Sequence, residues 1–184
     1  GKRVLLHFDA VDQIAEVSLN GHPLGRHEGG YDRFSFEITA YLRDENELTV
    51  CAYNEKGTRL PWGKQRKRRG GMWYTGISGI WASVWLECVP TVYVKGLSIR
   101  GDLRGVDLFA EGVSDGEISL DLENGETVTL PLSGGHARIE PKSPRHWSPE
   151  SPYLYRFTLT AGEDRISSYF ALRTIEALPD ERGI

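Results

Sequence analysis

Apolar side chains that recur at every second position are the feature of this sequence that most restricts its fold. Val17 and Leu19 follow this pattern in one segment, and Phe34, Phe36 and Ile38 follow it in another. Successive side chains of a β-strand point to opposite faces, whereas one face of a helix needs a spacing of three or four residues. We therefore predict an all-β protein.

This alternation predicts thirteen short strands. Six lie in the first half, at residues 3–9, 14–19, 23–28, 33–38, 47–54 and 81–88, and seven in the second half, at 92–101, 105–113, 117–123, 127–132, 136–140, 153–160 and 165–173. The Asn-Gly pairs at 20–21 and 124–125 favour tight hairpins, whose central residues take positive φ. Pro90 and the new series of strands after it place a domain boundary near 89–92. The second series matches an immunoglobulin-like sandwich in number and spacing.

A glycine-rich and basic segment, roughly residues 55–79, interrupts the strands of the first half. Structureless loops beyond about 12 to 15 residues are unusual in a domain and are more often functional or disordered than merely connective. Five cations lie within six residues of this segment, at Lys64, Arg66, Lys67, Arg68 and Arg69. Without them the chain would have 17 basic against 26 acidic residues, a formal charge of −9 instead of −4. A solvated surface loop, contact with an anion or nucleic acid, and a role in the substrate cleft of a larger protein all fit this pattern.

Aromatic residues cluster around the basic segment. Trp81 and Trp85 alternate with small and apolar residues and are predicted to lie in the core. Trp62, Trp73 and Tyr74 lie outside the alternation. Exposed aromatic rings stack on sugar faces, and neighbouring polar side chains bond hydroxyl groups.

The candidate ligand-binding residues are accordingly Trp62, Lys64, Gln65, Trp73 and Tyr74. Packing that anchors the segment is the alternative interpretation of its aromatic residues.

Several function classes have no support in the sequence. No apolar run reaches the roughly 18 residues of a membrane helix, and a net charge of −4 argues against a general polyanion binder. Cys51 and Cys88 lie in strand-like runs without zinc-site spacing, so we expect buried free thiols, no metal or other cofactor, and a cytoplasmic location. No hydrolase or metalloprotease motif is present, and Asp9 and Asp12 are interpreted as strand-end or turn residues. We assign no catalytic residue.

Four separated segments resemble glycoside hydrolase family 2, the family of β-galactosidases, β-glucuronidases and β-mannosidases. They are VSLNGHPLGRHEGGYDRFSFEIT, GMWYTGISGIWASVWLE, HWSPESPYLYRFTLT and YFALRTIE, in the order and spacing of the family. The resemblance extends from about Gly1 to Glu176. It departs from some β-galactosidases at Gly70-Gly71, where those proteins carry an acidic residue before the Met-Trp-like pair.

The resemblance implies a jelly-roll sugar-binding domain at residues 1–89, without its first strands, and an immunoglobulin-like sandwich at 90–176. Residues 177–184 would be a linker toward a (β/α)8 barrel with two catalytic glutamates, which acts as a retaining glycosidase. The chain would then be an inactive front part that helps to shape the substrate cleft. The start on Gly1 and the single methionine, Met72, agree with a piece of a longer protein.

Two other functions are kept as alternatives. An autonomous carbohydrate-binding module would use Trp62, Trp73 and Tyr74 as a platform for a sugar. Nucleic-acid binding through residues 64–69 would depend steeply on salt, and no recognised nucleic-acid motif accompanies this run. A homo-oligomer is left open, and no membrane partner is expected.

Overall fold

Strands account for nearly all the regular structure of the protein, with one short 3-10 helix at Thr39–Tyr41. The computed structural model describes residues 1–55, 59, 61, 63–68, 70–122 and 125–175. The all-β prediction is confirmed. The chain divides into two units, Gly1–Thr91 and Val92–Ile184.

The first unit is built mainly from two three-stranded antiparallel sheets. Its strands among the described residues are β1 (Lys2–Phe8), β2 (Val11–Asp12), β3 (Ile14–Leu19), β4 (His22–Glu28), β5 (Phe34–Glu37), β6 (Leu48–Tyr53), β7 (Gln65–Arg66), β8 (Tyr74–Thr75), β9 (Gly79–Ile80) and β10 (Val84–Pro90). The sheet orders are β10-β1-β5 and β4-β3-β6, and the short strands pair as β2-β9 and β7-β8.

Alternation along β1 and β3 builds the core of the first unit. Leu6 and Phe8 of β1 are buried together with Val17 and Leu19 of β3, as the period of two requires. Asn20 and Gly21 take φ of 52° and 80° and close the hairpin between β3 and β4, which confirms the prediction for this Asn-Gly pair. Asn124 of the second predicted pair lies outside the described residues.

Strand β10 forms one edge of its sheet, and its inner face is only partly covered. The register places Leu86 opposite the buried Leu6 and Cys88 opposite Val4, so these four side chains share one face. Nevertheless Leu86 is 61% exposed and Cys88 is exposed. Val89 of the same edge strand is only 4% exposed, so it is this face of β10, and not the edge position alone, that lacks cover.

Two sequence predictions are wrong in this region. The two cysteines are free but exposed rather than buried, because Cys51 lies opposite the exposed Glu16 on the outer face of β6 and Cys88 lies on edge strand β10. Trp81 and Trp85 are 54% and 43% exposed and do not belong to the core. Within the described part of segment 55–79, the short strands β7 and β8 pair with each other, and β9 begins at its end and pairs with β2.

The second unit consists of a three-stranded and a four-stranded antiparallel sheet. Its strands among the described residues are β11 (Gly96–Gly101), β12 (Val106–Glu111), β13 (Gly116–Asp121), β14 (Thr127–Leu132), β15 (His136–Ile139), β16 (Tyr155–Ala161) and β17 (Asp164–Phe170). The sheet orders are β11-β12-β15 and β14-β13-β16-β17.

Side chains from both sheets fill the core of the second unit. Tyr155, Phe157 and Leu159 alternate inward along β16, and Leu108 and Ile139 contribute from the other sheet. Leu108, Leu159 and Ile139 are fully buried. Alternating apolar positions on both sheets therefore meet in one sandwich core.

Candidate functional site

A parallel pairing of β7 with β8 brings most of the predicted ligand-binding residues together. Gln65 pairs with Tyr74, and the Tyr74 backbone N–H donates to the carbonyl of Lys64 at 2.9 Å. Two separate parts of the basic segment are thereby held side by side. Of the predicted residues, Trp62 lies outside the described residues.

Lys64, Arg66, Tyr74 and Thr75 are exposed at this pairing, and Tyr74 is 68% exposed. Gln65 is partly buried, and its Oε1 accepts from the backbone N–H of Ile77 at 2.8 Å. The amide of Gln65 therefore fixes the backbone that follows β8. The Tyr74 ring, in contrast, has an accessible surface on which a ligand can stack.

Trp73 is held between its own loop and a cation. Its backbone N–H donates to the carbonyl of Gly70 at 3.3 Å, and the Arg66 guanidinium lies 4.0 Å from the centroid of its ring. This distance is typical of a cation–π interaction, which stabilises by about 0.5 to 1 kcal/mol at exposed sites. Both interpretations of Trp73, loop anchor and ligand contact, therefore retain a structural basis.

A buried polar group fixes the base of the segment. Asp12, at the end of β2, is 7% exposed, and its Oδ2 accepts from Asn54 Nδ2 at 2.7 Å. The same Asn54 nitrogen donates to the carbonyl of Ile77 at 3.1 Å. Gly30 packs so closely on Asp12 that a Cβ at this position would lie 2.9 Å from Oδ1. Asp12 and Asn54 therefore tie β2 and β6 to the loop backbone.

Two further aromatic residues lie beside this base, and sequence analysis did not assign them to the site. The rings of Tyr31 and Trp81 meet edge to face at 5.8 Å between centroids, and Trp81 Nε1 donates to the carbonyl of Gly30 at 2.8 Å. Tyr31 is 58% exposed. The GGY sequence at 29–31 was a usable signal, because two glycines before an aromatic residue allow close backbone approach.

An ion pair anchors the N-terminal end of the loop. Arg59 Nη1 lies 2.9 Å from Glu28 Oε2, and Arg26 also contacts this carboxylate. Hydrogen bonds from Arg59, and then from Arg26, lower the pKa of Glu28 below its ordinary value. A lowered pKa is typical of an ion-paired carboxylate, whereas a catalytic acid needs a raised pKa. The shift of Glu28 is therefore that of an ion-paired anion.

The arrangement suits contact with a ligand better than chemistry on it. It presents aromatic surface and hydrogen-bonding groups on an anchored loop. Within the described part of the chain no group of three or more His, Cys, Asp or Glu side chains is placed to hold a metal ion. In the same residues no helix has the length and apolar character needed to cross a membrane.

Comparison with known proteins identifies both units. Residues 1–74 match the family model described as glycosyl hydrolase 2 galactose-binding domain-like, and residues 94–173 match the model for glycosyl hydrolases family 2. A β-galactosidase of Thermoanaerobacter pseudethanolicus is 26% identical over 98% of this chain and 27% of its own length. A putative β-glucuronidase of Formosa agariphila is 31% identical over 84% of this chain and 16% of its own length.

Solved structures of β-glucuronidases share the fold. The enzyme of Ruminococcus gnavus, in complex with N1-substituted uronic isofagomine, has a TM-score of 0.76 at 22% identity over 97% of this chain and 35% of that one. The enzyme of an uncultured Clostridium species gives 0.72 at 24% identity over 97% and 33%. This chain thus spans about a third or less of the relatives that it matches. With matching models in both units and the all-β sandwich fold, the chain belongs to glycoside hydrolase family 2.

Proposed function

We propose that this chain is the non-catalytic N-terminal part of a retaining enzyme that hydrolyses β-glycosidic bonds. Membership of family 2 supports the reaction class, and the relatives carry the names β-galactosidase and β-glucuronidase. The chain spans 27% of the first of these relatives and 16% of the other. The proposed parent is β-galactosidase-like, and this part supports its catalytic barrel and forms some of the substrate cleft.

The observation that carries the proposed site is the exposed ring of Tyr74 on a loop that β7, Asn54 and Gln65 hold in place. We propose that Tyr74, Trp73 and Lys64 line the rim of the substrate cleft, with Gln65 positioning the loop. Pairs of aromatic rings contribute about 0.5 to 1.5 kcal/mol beyond buried area, and we expect a ring–sugar contact to be of the same order.

Substitution in the full-length enzyme tests this site. Tyr74→Ala is expected to lower kcat/KM for aryl β-glycosides by about three- to tenfold, which is the contact energy above expressed as a rate. Tyr169→Ala is the matched control, because Tyr169 is 57% exposed in the second unit. Equal kcat/KM values for wild type and Tyr74→Ala would contradict the proposed rim.

An autonomous carbohydrate-binding module is the second candidate, favoured by the same exposed aromatic residues. It predicts that the 184-residue chain alone binds oligosaccharides with a millimolar or lower dissociation constant. Isothermal titration separates the candidates: binding by the isolated chain supports the module, whereas its absence, with a Tyr74 effect in the full-length enzyme, supports the substrate rim.

We further propose that the two units are the jelly-roll domain at residues 1–89 and the immunoglobulin-like domain at 90–176, with 177–184 as a linker toward the barrel. Linker residues 177–184 lie outside the described residues. The uncovered inner face of β10 supports the proposal that further strands complete the first sandwich. A longer form of the protein is then expected to protect the amide of Leu86 from hydrogen exchange, and unchanged exchange there would contradict it.

A cytoplasmic location is also proposed. Its support is that both cysteines are free, as is usual in reducing compartments. Fractionation of the host cells tests it directly, and recovery of the native enzyme from the culture medium or the periplasm would contradict it.

A further inference from the structure

The sandwich of the second unit opens along one side. Strands β14 and β15 are consecutive and belong to different sheets. Leu132, next to the turn that joins them, is 2% exposed, Leu130 is partly buried and Val128 is 41% exposed. These three residues share one face of β14. Burial thus decreases with distance from the turn along β14, which is an edge strand of its sheet.

A cavity of about 550 Å³ lies in this opening. Leu120, Leu130 and Ile139 are among the apolar residues that line it, and they come from both sheets. Its volume falls within the range of roughly 300 to 1,000 Å³ that is typical of small-molecule sites. Apolar walls of this kind favour a hydrocarbon body.

Tyr155 places a buried hydroxyl group in the lining of the cavity. This residue is 3% exposed, and its oxygen accepts from the Arg145 backbone N–H at 2.6 Å. Among the described residues the hydroxyl proton has no acceptor. Buried donors in proteins are normally paired, so an acceptor supplied by a ligand would complete the bonding of this group.

Both signs of charge line the cavity, and Lys142 is a cation close in sequence to the residue that holds the Tyr155 hydroxyl. Lys142 is exposed, lines the cavity and forms no ion pair within the described part of the chain. It is three residues from Arg145, whose backbone holds the Tyr155 hydroxyl. Glu140 also lines this end, but its carboxylate accepts from Arg138 Nε at 3.0 Å. Glu126, the residue before β14, adds a negative charge to the lining.

We propose that this cavity binds an amphipathic carboxylate. The apolar chain lies against Leu122, Val128 and Leu130, lining residues that retain accessible surface. Its carboxylate accepts a hydrogen bond from the Tyr155 hydroxyl and pairs with the Lys142 ammonium. This binding site is separate in the chain from the proposed sugar-contacting loop of the first unit.

Titration of the ¹⁵N-labelled 184-residue chain with sodium octanoate, followed by NMR, tests the proposal. We expect saturable shifts at Leu122, Val128 and Leu130, with a dissociation constant on the order of 1 mM for a ligand of this size. 1-Octanol is the matched probe without charge. It is expected to bind about tenfold more weakly, since it cannot form a charged hydrogen bond or an ion pair.

Two variants assign the contacts. Lys142→Met is expected to remove most of the preference for octanoate while leaving octanol binding unchanged. Val128→Trp is expected to fill the mouth of the cavity and weaken both ligands, and because Val128 is 41% exposed, this change is compatible with folding. Absence of shifts at 5 mM octanoate, shifts confined to the first unit, or equal affinity for the two probes would each overturn the proposal.

Discussion

The two units are similar in length and both are all-β, yet they differ in how completely their cores are closed. In the described residues, the main buried cluster of the second unit contains thirteen side chains and that of the first contains seven. In the first unit, apolar residues of β10 and β6 remain exposed to solvent, including Leu86 at 61% and Leu48 at 40%. Similar alternation therefore leads to different amounts of buried area.

The difference shows that an inward-facing position is not always a buried one. Leu86 faces the same side as Leu6, but Leu6 has a strand on each side and Leu86 lies on an edge strand. Hydrophobic stabilisation depends on the area removed from water. We therefore expect the second unit to depend more strongly on each core residue than the first.

The largest expected effect is in the second unit. Leu108→Ala removes a fully buried side chain and is expected to cost about 3 to 5 kcal/mol, because the closed core cannot fill the cavity that is left. Urea unfolding followed by far-ultraviolet circular dichroism measures this loss. Four of the five tryptophans, at positions 62, 73, 81 and 85, lie in the first unit. An equal shift of the tryptophan transition would show that the two units unfold together.

The same substitution in the first unit is expected to cost less. Leu6 is 3% exposed and borders an apolar groove of about 250 Å³ beside Leu86. Leu6→Ala should cost about 2 to 3 kcal/mol, because side chains around an open groove can move into the vacated space. Urea unfolding followed by tryptophan fluorescence measures it. If this variant loses more stability than Leu108→Ala, the comparison between the units is wrong.

A change at the exposed edge is expected to have little effect on stability. Leu86→Gln should change the free energy of unfolding by at most about 0.5 kcal/mol, since this side chain is largely exposed. It should also reduce the binding of anilinonaphthalene sulfonate to the groove. The control is Leu103→Gln, at a residue that is 41% exposed in the second unit. A loss above about 1 kcal/mol would indicate that Leu86 already packs as a core residue.

The smallest effect is the response to acid, which differs between the units. Hydrogen bonds from His136, and then from Arg138, lower the pKa of Asp107 below the ordinary 3.8, and Arg59 and Arg26 lower that of Glu28 below 4.5. A lowered folded-state pKa stabilises the fold above the unfolded value, and this contribution is lost as the pH falls through the folded value.

The stabilisation by these carboxylates should therefore begin to be lost below about pH 4.5 in the first unit and below about pH 3.8 in the second. Unfolding measured from pH 6 to pH 2.5 tests this order. Asp107→Asn is expected to flatten the acid dependence of the second unit, and Glu28→Gln that of the first. Identical pH profiles for a variant and wild type would show that its ion pairs contribute nothing measurable.

Most strands could be predicted from the sequence because alternation is a local property. Strands β3 and β14 occupy the predicted residues, 14–19 and 127–132. Strands β7, β8 and β9 were missed, since two residues carry no detectable period. Of the candidate site, Tyr74 and Lys64 were singled out by composition, whereas the part played by Asp12 was not foreseen. Its burial depends on Asn54 and Gly30, which are remote from it in the chain.

The sequence by itself determined the all-β fold, the positions of most strands, the Asn-Gly hairpin and the family. Alternation, turn chemistry and motifs are all properties of neighbouring residues. Only the tertiary structure decided which inward-facing residues lose contact with water, as the contrast between Leu6 and Leu86 shows. It also decided that Tyr31 and Trp81 meet beside the loop, because pairings such as Val11 with Ile80 join distant segments. Burial and convergence depend on which strands become neighbours, and no local pattern encodes that.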